Sequence, residues 1–134
     1  MTLETTIERV DGPPAVTVLA LEGELDASNF EALIDTVRTL YDDGTRRLVI
    51  DLSSLTFMAS SGLVALHSIV RIMHGEPPPD PEGGWSALHA EVSGPQEEVV
   101  LAGPQPGVAR VLARTGLDQL FTIHEDREAA LAAS

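Results

Sequence analysis

Ser60-Ser61-Gly62 is the stretch of this chain whose residue types could do chemistry. Two hydroxyls stand where a polar loop gives way to a helical apolar pattern beginning at Leu63. A helix start offers unpaired backbone N–H groups and the positive end of the helix dipole, so a phosphoryl group would be tolerated there. The same serine could simply cap the helix; the two roles are compatible, because a cap sits at the surface. Hydrolysis is the rival chemistry. It asks for G-x-S-x-G, and here Met58 or Ala59 stands where the first glycine belongs, with no histidine placed as a base. His67 and His74 lie seven apart on one predicted helix, but two imidazoles without a third ligand do not make a metal site. Gly103-Pro104-Gln105-Pro106-Gly107 lacks the lysine and the spacing of a P-loop. Without cysteine there is neither a disulfide framework nor a thiolate site. No catalytic constellation emerges, and no metal or cofactor is expected.

The elements that must position the serines follow from periodicity. Leu48, Val49 and Ile50 form a continuous apolar run, as in a central strand covered on both faces. Asp51 to Ser54 are polar turn-formers that break the run, after which Leu55, Phe57 and Met58 return the chain to the core. A helix from about Ser61 to His74 follows, with Leu63, Leu66, Ile69, Val70 and Met73 inward. Upstream, Ile7 to Val10 and Val16 to Leu21 are expected to pair as a hairpin across Asp11-Gly12-Pro13-Pro14. The first helix carries the stripe Phe30, Leu33, Ile34, Val37, Leu40 and Tyr41; Ser28 and Glu31 supply a capping box and Gly44 the stop. Downstream come a strand at Glu98 to Ala102, a helix around Val108 to Thr115 closed by Gly116, a strand at Phe121 to His124, and a helix from about Asp126. Strands alternating with helices predict an α/β fold: a mixed sheet with an N-terminal antiparallel hairpin followed by parallel βα units.

At 134 residues the chain is expected to be one domain with a core of its own. Its net charge is −13, and all eight basic residues are arginine. Such a surface repels nucleic-acid phosphates and anionic lipid, so direct nucleic-acid binding is not expected, whereas a basic-faced protein partner is compatible. No apolar run approaches a membrane span, nor does the N-terminus resemble a signal peptide, so membrane insertion is not expected and a cytoplasmic location is. Residues 75–95 depart from the regular alternation. They hold five of the nine prolines and four of the eleven glycines and read as an insertion of that one domain.

Three motifs in order carry a family resemblance: Gly23-Glu24-Leu25-Asp26, the loop Leu55-Thr56-Phe57-Met58-Ala59-Ser60-Ser61-Gly62-Leu63, and Thr115-Gly116-Leu117-Asp118. Together they resemble the STAS domain, and in particular its anti-sigma factor antagonists, over nearly the whole chain apart from roughly 75–95. The resemblance implies a non-enzymatic module with helices packed mainly on one face of the sheet. It implies phosphorylation at Ser60 and partner contacts through Gly23, Asp26, Asn29, Met58, Ser60, Ser61 and Gly62. The partner implied is an anti-sigma factor with serine kinase activity, with a phosphatase as a further candidate. Ala59 departs from the family motif, which has an acidic residue there; this keeps a second reading in view, a STAS scaffold or regulatory subunit of a signalling complex or transporter that works without phosphorylation.

Overall fold

The computed structural model describes residues 2–11, 15–73 and 96–132, with the side chains of 96–98 left aside. The expected insertion at 75–95 lies outside the described residues. Strands β1 (Leu3–Val10) and β2 (Val16–Leu25) lead to helix α1 (Phe30–Asp42), strand β3 (Leu48–Met58) and helix α2 (Ser60–Met73). Strand β4 (Gln96–Ala102), helix α3 (Pro106–Thr115), a 3-10 turn (Leu117–Gln119), strand β5 (Phe121–His124) and helix α4 (Arg127–Ala132) complete them. One five-stranded sheet runs in the order β1-β2-β3-β4-β5, antiparallel at β1–β2 and parallel elsewhere. Since the order never reverses, three crossovers of one hand lay α1, α2 and α3 on the same face.

Alternation along the strands divides the core. Leu19, Leu21, Leu48, Ile50, Leu52 and Leu101 face α1, α2 and α3 in the main cluster. Val16, Val18, Val49 and Ala102 point the other way and meet Ala130 of α4. Helices therefore pack mainly on one face, and the short C-terminal helix covers part of the second.

Several expected boundaries move. The hairpin strands are longer than read, because Gly23-Glu24-Leu25 continues β2 against β3. Asp51 to Ser54 do not form a turn: β3 passes through them unbroken, with register shifts against β2 absorbing the irregularity. A polar residue can sit in this strand because it has partners. The Asp51 carboxylate, 7% exposed, accepts the Ser53 N–H at 3.0 Å and the Arg127 guanidinium at 3.0–3.1 Å. Burial alone would raise its pKa, but the Ser53 hydrogen bonds and Arg127 outweigh that and hold it below the usual carboxylate value. Arg127 also reaches Glu8 at 2.7 Å, so one guanidinium clasps α4 to β3 and β1. Phe57 does not return to the core either. The second register shift sets it opposite Glu24, and it is 45% exposed. In α2 the buried surface is wider than the predicted stripe and includes Ala65, His67, Ser68, Arg71 and Ile72.

Candidate functional site

The site begins where β2 and β3 end together. Leu25 pairs with Met58 as the last step of their ladder, and the Ala59 N–H donates to the Leu25 carbonyl at 2.9 Å. That bond holds the start of α2 against the start of the α1 connection. Gly62 tightens the junction: a Cβ there would stand 2.6 Å from Met58 Cγ and 3.0 Å from the Leu25 side chain. Met58, 3% exposed, and Gly62 thus form the floor under the serines.

On this floor the two hydroxyls differ. Ser60 is exposed, whereas the Ser61 hydroxyl oxygen is buried without a hydrogen-bond partner. Helix α2 opens at Ser60 itself, so Ser60 is its first residue and Ala59, with no side-chain acceptor, occupies the position before it. No acidic residue lies in the first turn of α2. The exposed hydroxyl therefore stands at the positive end of an uncompensated fourteen-residue helix.

The neighbouring corner is a closed turn. Asp26 accepts the Ser28 N–H at 2.9 Å and the Ser28 hydroxyl. The Asp26 N–H donates to Asn29 Oδ1 at 3.0 Å, and Asn29 Nδ2 donates to the Glu24 carbonyl at 2.9 Å. The Ser28 hydroxyl, then its N–H, lowers the Asp26 pKa, keeping the carboxylate charged. The expected Ser28–Glu31 capping box does not form. Asn29 takes the N-cap position without a side-chain cap bond, because Ser28 is spent on Asp26. Gly23 lies farther back, with φ 109°; a Cβ there would collide with the Thr2 carbonyl, which instead accepts the Glu24 N–H at 3.0 Å.

The fold thus gathers Asp26, Asn29, Met58, Ser60, Ser61 and Gly62 at one end of the β2–β3 pair and sets Gly23 behind them. Thr56 and Phe57 were not anticipated as rim residues. Thr56 Oγ1 donates to the Gly23 carbonyl at 3.0 Å, and Phe57 stands exposed beside the serine loop. The sequence signal that could have found them is the three-residue spacing of Leu52, Leu55 and Met58, which breaks the period of two and turns Thr56 and Phe57 outward. Among the described residues no group of three or more His, Asp or Glu could hold a metal ion.

Comparison with known proteins agrees with this geometry. The family model described as "Mlab, STAS domain" matches residues 8–76, from β1 through α2. The chain belongs to the STAS domain family. It is 27% identical over 131 residues to a Bordetella bronchiseptica protein named "Putative anti-sigma factor antagonist BtrV", covering 98% of this chain and 94% of that protein. The crystal structure of an anti-sigma factor antagonist from Mycobacterium paratuberculosis superposes with a TM-score of 0.69 at 26% identity, over 98% of this chain and 93% of the other. SpoIIAA of Bacillus in its phosphorylated form shares the fold, with a TM-score of 0.62 at 20% identity over 98% of this chain and 100% of its own. Within that family the chain is related, in sequence and in structure, to anti-sigma factor antagonists. No helix among the described residues is long and apolar enough to cross a membrane.

Proposed function

We propose that this protein is an anti-sigma factor antagonist: it binds an anti-sigma factor with serine kinase activity through the rim around Ser60, and phosphorylation of Ser60 ends that binding. The observation that carries the reading is the inequality of the two serines. Ser60 is exposed on a rigid floor at a helix start, and the Ser61 hydroxyl beside it is buried. A kinase can reach the first alone. Phosphorylation adds about −1.5 to −2 charges and three acceptor oxygens. The dipole of α2 stabilises that charge within the chain. A partner packed over the rim meets it desolvated, near the charged Asp26 of the neighbouring corner. The fold survives, and the complex does not. The relatives named as anti-sigma factor antagonists, and the phosphorylated state of a protein with this fold, support the reading.

Ala59 favours a second reading, in which the same rim serves a scaffold or regulatory subunit without phosphorylation. One experiment separates them. Native-cell pulldown identifies the bound protein, and the complex is then rebuilt with ATP. Incorporation of one phosphate at Ser60 with release of the partner supports the switch. A stable complex with unmodified Ser60 and no kinase in it supports the scaffold.

A further inference from the structure

The opposite end of the β2–β3 pair carries a cleft of about 400 Å³, between the start of β2 and the α1–β3 connection. We propose that it is a binding site for a small anion carrying phosphate or carboxylate groups.

The cationic wall is Arg9, Arg46 and Arg47. The whole chain has eight basic residues against twenty-one acidic ones, so gathering three at one cleft runs against its composition. Arg38 pairs with Asp35, and Arg127 with Glu8 and Asp51, while Arg110 and Arg114 of α3 have no ion-pair partner among the described residues. Arg9 and Arg47 have no ion-pair partner among the described residues, although Asp11 and Asp43 line the same cleft. Arg46 is preorganised. Its Nη1 donates to the Tyr41 carbonyl at 2.8 Å and the Thr45 carbonyl at 2.9 Å, and its guanidinium lies 3.8 Å over the Tyr41 ring. The backbone is fixed too, because the Thr17 N–H donates to the Arg47 carbonyl at 3.0 Å.

Two further hydroxyls line the cleft. Thr17 and Thr45 are 5% and 6% exposed, yet among the described residues the only side-chain hydrogen bond of each is with the other, at 3.4 Å. A good O–H···O bond is about 2.7–2.8 Å long. The pair uses at most one donor, so at least one buried hydroxyl can turn toward a ligand. Ala15 is exposed at the mouth of the cleft, while the Val10 and Val16 side chains turn to the other face of the sheet. Arginine forks suit phosphate or carboxylate, and a cavity of this size suits a metabolite-sized molecule. With three guanidiniums against two carboxylates, the cleft has one net positive charge. A small anion fits that balance, and a nucleic-acid backbone does not.

The test is a titration of the 15N-labelled full chain at constant ionic strength with inorganic phosphate, pyrophosphate and citrate, separately. Saturable amide shifts at Val10, Thr17, Gly44, Thr45 and Arg47, with Kd of about 1 mM or tighter for at least one probe, are expected. Pyrophosphate or citrate ranking first assigns the phosphate or the carboxylate source. Arg9→Ala/Arg47→Ala should weaken binding at least tenfold, and Thr45→Val a few-fold, while amides of α2 and β5 keep their positions. Linear, unsaturated shifts, spread equally over Arg110 and Arg114, would overturn the site. So would full affinity in the double arginine variant.

Discussion

The two ends of the β2–β3 pair are built from the same strands and do opposite things with charge. At the end where the strands finish, Ser60 faces solvent near the charged Asp26 corner, at the positive end of the dipole of α2. At the end where they start, some 30 Å away at about 3.3 Å per residue, three arginines and two buried threonines line one cleft. The first end can receive a covalent phosphoryl group, because the helix supports it locally. The second can hold an anion only non-covalently, through side chains contributed by separate segments. A helix terminus is a small, local electrostatic device; a cluster of guanidiniums needs the whole sheet to assemble it. That contrast gives each end its own way of failing.

The largest expected effect breaks the Ser60 end alone. Enzymatic phosphorylation should weaken partner binding about a hundredfold, roughly 2.8 kcal/mol, with melting temperature and the arginine-cleft titration unchanged. Ser60→Asp, with one charge and no phosphate geometry, should retain at least a tenfold loss, measured by calorimetry with the purified partner. Equal affinity before and after phosphorylation would refute the switch.

Next comes the floor under the serines. Gly62→Ala gains roughly 1 kcal/mol of helix propensity but drives a Cβ into Met58 and Leu25, and such overpacking costs about 1–3 kcal/mol. A net destabilisation of up to roughly 2 kcal/mol in denaturant unfolding is expected, with weakened partner binding. A more stable variant would mean that the floor yields easily.

A third change tests the sheet face shared by both ends. Arg127→Ala leaves the buried Asp51 carboxylate with only its Ser53 partner, for a loss of about 1.5–3 kcal/mol near neutral pH. The pH dependence has a definite sign. The folded-state pKa of Asp51 is lowered, so its contribution is present above the unfolded value of about 3.9 and is lost as pH falls through the folded value. Acid unfolding of Arg127→Ala should therefore be less steep below about pH 4 than that of the parent. Identical acid limbs would remove Arg127 as a cause of the lowered pKa.

The two ends also differ in how much of them was legible in the sequence. The serine end reads directly, because strand, loop and helix start are contiguous from Leu48 to Leu66, and periodicity over that window fixes each element. The alternation of strands and helices was legible for the same reason, whereas helices mainly on one face followed from the family resemblance. Details decided by long-range partners were not. Asp51 resembled a turn-former until Arg127, seventy-six residues later, supplied its counter-charge. Phe57 resembled a core residue until a bulge against β2 reversed its parity. Ser28 had the spacing of a cap, and only the folded Asp26 turn showed where its hydroxyl goes. The cleft is the extreme case: Arg9, Thr17, Thr45 and Arg47 belong to three segments with no shared motif.

The smallest expected effect sharpens the contrast most. Ala59 stands immediately before α2, where an acidic side chain accepts from the free N–H groups of the first turn and meets the positive end of the dipole. Ala→Asp at such a position is worth about 0.5–2 kcal/mol. Ala59 is only half-buried, so a carboxylate can reach solvent, and Ala59→Asp should stabilise the protein by roughly 0.5–1 kcal/mol. The gain belongs above the carboxylate's pKa and should vanish as pH falls through it. The same charge competes with a phosphoryl group for the dipole, so it should make phosphoserine at position 60 less favourable locally while orienting the unmodified hydroxyl. Differential scanning at pH 7 and pH 3 reads the first effect, and the initial rate of phosphate incorporation reads the second. No stabilisation at pH 7 would mean that the start of α2 is already satisfied by its surroundings. In that event the uncompensated dipole could not be what makes this end receptive to phosphate.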